Sequence, residues 1–588
     1  MTLFDEKAIQ CMVILFCMIF VRASTGHSAI WYVDSSRPDN NGIATNWATA
    51  KKTIQAAVDV ASDNDTVLVT NGVYATGGRV TPGYSLTNRV VITNDIALRS
   101  VNGPDETIIQ GNGQMGGAVV RCVFMNGGVL DGFTLTNGYT LGNGDLAFDQ
   151  SGGGAYIVNT SITNCTLSGN ASHYQGGGAF GGSLYNCTLS GNSVVIGETD
   201  GRSGYGGGAA SGTLYNCVLS GNWAYGHNDS SYGGDGIGGG AFGATLYNCT
   251  LSGNVAQGGR NYVLGTQGGA RGGRGLGGGA SECTLYNCML SNNAANGGYG
   301  IYSGGGNASG GAVDDSLLYN CILNDNSASG AVGGHSAGGG AAGGTLNNCT
   351  VIRNRATSGG GAIIGTLNNC TLTQNFAATS GGGTESCELK NCIVFYNTAT
   401  SGSNSSFDYL NFCCTTPDPG GTGNITNEPG FVSTNDLHLM ANSPCLDAGT
   451  NLTEITTDIE GISRPLDGNE DGVAQCDMGA YEYVNTNATA DPDVDGMDNS
   501  QEQIAGTDPL NPLSVFAIES IINVSNSVVL SWPSCTGRLY SVYASTNLLT
   551  EPVWDLTDIT NTPGYGEILK YTNFNDGPRY FQVRVRRP

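Results

Sequence analysis

The chain has 588 residues, 94 of them glycine, and carries a net charge of −25 with only 12% charged residues. Its length exceeds one ordinary compact domain, its glycines follow no collagen-like triplet, and its acidity argues against nucleic acid or an anionic membrane surface as a partner. A hydrophobic fraction of 39% is too high for a disordered chain.

The N-terminal run "CMVILFCMIF" (Cys11–Phe20) followed by "VRASTGHSA" (Val21–Ala29) predicts a secretory signal over residues 1–29, cut between Ala23 and Ala29. The run is too short for a comfortable membrane span, and no later stretch could cross as a helix. The mature chain is therefore expected to be secreted or displayed on a cell surface. Next, "WATAKKTIQAAVDVA" places Trp47, Ile54, Val58 and Ala61 on one face of a short amphipathic helix, suited to covering an exposed sheet edge.

From there an internal repeat dominates. An Asn-Cys pair recurs with its cysteine at 165, 187, 217, 249, 288, 321, 349, 370 and 392, and an asparagine follows each five residues later, from Asn170 to Asn397. A glycine-rich element, usually "GGGA", precedes each pair. From the residue after the glycines to the cysteine is eight residues, except ten from Ala155 and nine from Ala312. The shortest period is 21 or 22 residues, and "TLYN" and "CTLS" alternate as strands do. Such a unit is one coil of a β-solenoid, with equal residues stacked about 4.8 Å apart in parallel register. The asparagine before each cysteine (Asn164, Asn186, Asn216, Asn248, Asn287, Asn320, Asn348, Asn369, Asn391) is expected to form an interior amide ladder, out of reach of the glycosylation that "NCT" formally permits. The cysteines are expected inward as a packed thiol column, with some inter-coil disulfides as the alternative.

The GGA and xxN elements resemble the repeats of the polymorphic outer membrane protein family, and Ile30–Asn397 as a whole resembles the right-handed parallel β-helix proteins of bacteria. The resemblance implies an all-β fold, a right-handed parallel β-helix with an N-terminal capping helix, over residues 30–436.

Between each xxN asparagine and the next glycine run lies a segment of four to twenty-two residues. All these insertions enter at one corner, so they should form a crest along one edge, where binding on repeat scaffolds is usually found. Its aromatic residues Tyr205, Trp223, Tyr225, Tyr232, Tyr262, Tyr299 and Tyr302 are the candidate contacts to an extracellular glycan or surface protein. His173, His227 and His335 read as solvated loop residues. Acidic residues are sparse: Asp314, Asp315 and Asp325 fall in one coil, Glu198, Asp200, Asp229 and Asp235 in the crest, and no carboxylate recurs at ladder spacing. The first expectation is therefore non-catalytic binding or adhesion by a monomer. The alternative is a polysaccharide lyase or glycoside hydrolase, as many parallel β-helix proteins are.

After "NCIVFYN" the repeat decays. Residues 437–483, with "SPCLDAG" and "DMGAYE", resemble the segment that closes many bacterial β-helix proteins, and Cys445 and Cys476 could pair across it. Residues 484–513 contain "DPDVDGMDNSQE". Asp491, Asp493, Asp495, the Met497 carbonyl, Asn499 and Glu502 fit positions 1, 3, 5, 7, 9 and 12 of a calcium loop, and Gly496 allows its sharp turn. With "AGTDPLNP" following, the linker resembles thrombospondin type 3 or dockerin-like repeats, which implies structural calcium. Residues 514–588 alternate like strands of a small sandwich and resemble fibronectin type III-like modules, with Trp532 and Tyr540 in the core.

Overall fold

The computed structural model describes residues 28–113, 118–195, 201–228, 232–261, 271–300, 304–524, 527–545, 555–557, 559–573 and 580–587. All but the end of the expected signal lies outside them.

Residues 30–415 form a parallel β-helix. A 14-stranded sheet runs from Ile30–Val33 to Tyr409–Asn411, a second of 13 strands ends at Cys414–Thr415, and a third of 13 ends at Ser405–Ser406. Each coil visits the third, first and second sheets in turn, and every step lands on the equivalent residue. Leu189, for instance, pairs in register with Leu219, Leu219 with Leu251 and Leu251 with Leu290. All four leucines are fully buried, and each such side chain contributes roughly 1.5–3 kcal/mol by leaving water.

The entry helix is shorter than expected, Ile54–Val58. Ile54, Val58 and Ala61 are buried against the first coils, but Trp47 stands 41% exposed, edge-on to Tyr32. A single 3-10 turn, Trp47–Thr49, separates it from the helix. The buried Gln55 accepts a hydrogen bond from the Val91 N–H at 2.7 Å, satisfying a backbone group at the start of the third sheet.

The cysteines face inward as expected. From Cys187 to Cys392, each backbone N–H donates to the sulfur of the next cysteine at 3.4 Å. All described cysteines are free, Cys445 and Cys476 included. Burial pushes the Cys165 and Cys283 thiols up to about 12.

The asparagine before each cysteine is not interior. Asn164, Asn186, Asn216, Asn248 and Asn287 are exposed at a corner, where a left-handed backbone (φ 51–53°) turns the chain between two strands. Their amides still link coil to coil, at 3.1–3.3 Å from Asn186 through Asn348. Unreachability therefore gives no ground for discounting glycosylation at these sites. Only Asn348, Asn369 and Asn391 are buried, where the closing segment covers the corner: the Asn348 and Asn391 amides donate to the Thr457 and Thr450 carbonyls.

The interior ladder belongs instead to the xxN asparagines. Asn222 donates to the Leu189 carbonyl and to Asn254 Oδ1, both at 2.9 Å, while its own Oδ1 accepts from the Asn192 N–H and side-chain amide at 3.0 Å. The same pattern runs from Asn170 to Asn375, so the amides of this ladder are paired. This ladder explains the glycine run. A Cβ on Gly208 would lie 2.7 Å from the Gly240 carbonyl oxygen and 3.0 Å from Asn222 Nδ2. The two motifs occur together because one fills the space the other vacates.

The insertions leave and re-enter at one corner. Outgoing strands (Ser193–Val194, Trp223–Tyr225, Val255–Gln257, Ala294–Asn296, Ser327–Ser329) and returning strands (Gly204–Tyr205, Gly236–Ile237, Gly275–Leu276, Ala308–Ser309, Ser336–Ala337) form the two arms of a fourth sheet. The arms merge at Arg355–Ser358, where the insertion is too short to separate them. The crest is no set of free loops at its base. Gly234 N–H donates to His227 O, Gly259 to Gly234, Gly273 to Gly259, Gly298 to Gly273 and Gly306 to Gly298, all at 2.8–2.9 Å. Outgoing and returning backbones are thereby stitched into a fin so tight that a Cβ on Gly226 or Gly258 would overlap a carbonyl of the opposing arm.

The closing segment packs Leu439, Cys445, Leu446 and Met478 on Ile393, Phe395 and Cys414, the outer face of the last coils. Two antiparallel sheets follow, with Trp532 and Tyr540 buried between them.

Candidate functional site

A cleft of about 530 Å³ opens in the angle between the third sheet and the returning arm of the fin. One wall is the column Arg274, Asn307, His335, linked by the backbone bonds Gly275 N–H to Asn307 O and Ala308 N–H to His335 O. The other wall is the third sheet, where Asp314 pairs in register with Ser281. The residues after these two, Asp315 and Glu282, both adopt left-handed φ (44° and 54°) at the corner on adjacent coils. Three carboxylates thus converge beside an arginine and a histidine.

Their environments differ. Glu282 and Asp315 are exposed, whereas Asp314 is half-buried against the cleft wall. Burial, reinforced by the negative charges of Asp315 and Glu282, pushes the Asp314 carboxyl up to about 6, against the pull of the Ser309 hydroxyl and Arg274. Arg274 is committed elsewhere. Its Nη2 and Nε reach Asp235 Oδ2 at 2.8 and 3.1 Å and its N–H reaches Oδ1 at 2.6 Å, and Asp235 holds the guanidinium above its ordinary range. A carboxyl raised toward neutrality, two solvent-facing acids and a cation held in place are the groups that acid-base chemistry on a polar polymer requires.

Of the aromatic candidates, the structure brings Tyr205 to this region. It pairs with Ile237 and Ile237 with Leu276, the column that continues along the cleft floor. The Tyr205 ring lies 4.8 Å from Phe242. Trp223 and Tyr225 stack on each other at 5.2 Å on the outgoing arm, and Tyr232 and Tyr299 project from the fin, 60% and 54% exposed. These four do not join the cleft, and Tyr262 and Tyr302 lie outside the described residues. His173 packs edge-on against Tyr139, and His227 is buried in the fin rather than solvated. His335 is exposed and lines the cleft. Asp325 sits at a different corner, paired with Arg353 at 2.9 Å, so the acids of that coil are not one cluster. Glu198, Asp200 and Asp229 are outside the described residues.

Glu282 has no counterpart among the sequence candidates. The signal was in the glycine run. Ala280 pairs with Val313, not with Ala312, so Ala312 replaces a third glycine and the spacing to Cys321 is eight after all. Counting from Ala312 conceals that Asp314-Asp315 aligns with Ser281-Glu282.

A second polar constellation lies in the linker. One carboxylate oxygen each of Asp491, Asp493 and Asp495 lie within 4.8 Å of one another. The turn uses left-handed Val494 and Gly496 (φ 58° and 93°), and Asp491 accepts from the Gly496 N–H at 3.0 Å. The helix Asn499–Ala505, capped by Asp498, carries Glu502 into the same space. Asp493 and Glu502 are buried, and no donor reaches their carboxylates. Burial, with the neighbouring acids, pushes them up to about 6 and about 7. Buried, unpaired carboxylates are costly, and this oxygen-only set suits a hard divalent cation.

No family model and no curated protein matches the chain. Among solved structures it is similar to the pectate lyase Pel9A, at 13% identity and a TM-score of 0.32, covering 78% of this chain and 97% of that one. It is also similar to a GH136 lacto-N-biosidase from Eubacterium ramulus (10% identity, TM-score 0.31, 68% of this chain and 67% of that one). A third similarity is to the Dettilon tailspike protein (9% identity, TM-score 0.25, 97% of both chains). No described helix is long and apolar enough to cross a membrane.

Proposed function

We propose that this is an exported, carbohydrate-active β-helix protein that binds an extracellular polysaccharide in the cleft beside the fin and hydrolyses it there. The observation that supports this reading is the convergence of Glu282, Asp314 and Asp315 beside His335 and the anchored Arg274 in one cleft. Asp314, protonated near pH 6, gives its proton to the glycosidic oxygen as the bond from the anomeric carbon breaks. Water attacks that carbon and loses its proton to Glu282, one coil away. The hydrolase reading is preferred to a lyase because three carboxylates meet in the cleft while its arginine is locked to Asp235. In the linker, Asp491, Asp493, Asp495, the Met497 carbonyl, Asn499 and Glu502 hold a structural calcium ion in this reading.

Incubation with a panel of polysaccharides, with reducing ends measured over time, tests this. New reducing ends from the wild type and none from Asp314→Asn are expected. Unsaturated products would indicate a lyase. Retention without turnover would indicate adhesion, the second reading, which the Tyr205–Phe242 pair beside the cleft floor favours.

A further inference from the structure

The outer face of the first sheet carries a second feature, independent of the fin. Tyr185, Tyr215, Tyr247, Tyr286 and Tyr319 occupy one column and stack ring on ring, centroids 4.8–5.0 Å apart and planes within 4–5°. Inside the column each face is covered by the next ring, so only edges and hydroxyls meet solvent. The column then changes identity. Asn347 follows Tyr319 in register, then Asn368 and Lys390. An amide is shorter than a phenol, so the outer part of the Tyr319 ring stands above the next rung with one face uncovered.

That step forms one end of a cleft of about 400 Å³, bounded by Asn347, Asn368, Lys390 and the closing-segment loop Asn451–Ile455. Asn368 donates to Asn347 Oδ1 at 3.0 Å, which leaves the other amide groups of the pair to serve a ligand. The loop is held in place, because Asn451 accepts from the Cys476 N–H at 2.9 Å and donates to the Ala474 carbonyl at 3.3 Å. Lys390 and Glu454 both line the cleft, so its formal charge is balanced.

We propose that this cleft is a non-catalytic binding subsite for a neutral hexose or pentose polymer. The aliphatic C–H face of one sugar ring rests on the free face of Tyr319, and the electron-rich ring attracts those hydrogens. Asn347, Asn368 and Lys390 address its hydroxyls, the small number of placed polar groups a ligand cleft needs. A charged uronate chain finds no net countercharge there. The subsite holds polymer on the first sheet while the fin cleft acts elsewhere on the coil, and it does not require that the fin cleft be catalytic.

Electrophoresis of the full chain through native gels cast with soluble β-glucan, xylan, glucomannan or polygalacturonate tests it. At least one neutral polymer is expected to retard the protein. Tyr319→Ala should weaken that retardation about tenfold, and Tyr319→Phe, which keeps the ring, should not. Asp314→Asn should be retarded like the wild type, which separates this subsite from the fin cleft. Should Tyr319→Ala not fold, the pair Asn347→Leu and Asn368→Leu carries the same comparison. No retardation by any neutral polymer, retardation by polygalacturonate alone, or retardation lost in Asp314→Asn but kept in Tyr319→Ala would each overturn the subsite.

Discussion

Asp315 stands at the same corner of its coil that Glu282 occupies one coil earlier, because Asp314 and Ser281 are partners in the third sheet. The register of a single pair thus decides which acids meet. Asp314 is the half-buried one of the three, and burial pushes its carboxyl up to about 6. Its proton should set the alkaline limb of any turnover, with the rate falling about tenfold per unit above about pH 6. An initial-rate profile checks this, and a rate that rises through that range would contradict the acid role.

The same shift has a thermodynamic counterpart. A carboxyl whose folded value is raised contributes stability that is fully present below the unfolded value of 3.8 and lost as pH rises through about 6. Asp314→Asn should therefore stabilise the protein at pH 8 by roughly 1–3 kcal/mol and leave it unchanged or weaker at pH 4. Thermal melts at the two pH values read this directly.

Asn222→Ala should be among the most damaging single changes in the solenoid. It leaves the Asn192 N–H and one hydrogen of the Asn192 amide without an acceptor in the interior, and takes a donor from the Leu189 carbonyl and from Asn254 Oδ1, which keeps only the backbone N–H of residue 222. Each unsatisfied buried group costs about 1–3 kcal/mol. Asn216→Ala, an exposed corner with a left-handed backbone, should cost about 1 kcal/mol. Urea titration of both variants would show a much larger drop for the first. Equal drops would mean that the interior ladder carries no special stability.

Gly273→Ala should disrupt the fin while sparing the coils, since its Cβ would overlap the Gly234 carbonyl. The expected signature is rapid proteolytic cutting between residues 226 and 306 with an unchanged far-ultraviolet spectrum. Global unfolding instead would show that the fin and the coils form one cooperative unit.

Calcium should stabilise the chelated chain by about 2.7 kcal/mol at a hundredfold excess over Kd and so raise its unfolding midpoint. Glu502→Gln should lose most of that gain, because Glu502 is buried and supplies the last position of the loop. Differential scanning calorimetry with and without chelator decides it. An equal calcium response in both proteins would remove Glu502 from the site.

Thiol reagents should find the native interior closed. Among the described cysteines only Cys535 is not buried, so one such thiol should react quickly and the rest only after denaturation. Fast modification at Cys217 or Cys249 would contradict the column.

The repeat made the coil, the inward cysteines and the single edge of insertions legible, because each follows from letters recurring at fixed offsets. It did not say which asparagine was inside. Both occur once per coil, and only the left-handed turn at Asn164 and its equivalents puts that column outside. The site was hidden for a related reason. Ala312 standing for glycine shifted the apparent frame by one, and one residue in a strand separates a wall from a corner. The Tyr319 step was hidden because it needs the closing segment, far along the chain, to fold back beside it. The tight fin was unreadable because glycines look alike in sequence whether they loosen a chain or let two backbones touch.

Since the strands of each coil pair only with those of the coil before and the coil after, the stack is divisible. Cys349 and Cys370 are 21 residues apart, and Thr345 pairs with Thr366. Excising one full turn from Thr345 to Gly365 would splice like onto like and draw the Tyr319 ledge one storey closer to Lys390 while the fin kept its height. A lineage carrying such a chain can lengthen or shorten the stack by whole storeys, without redesigning a single wall.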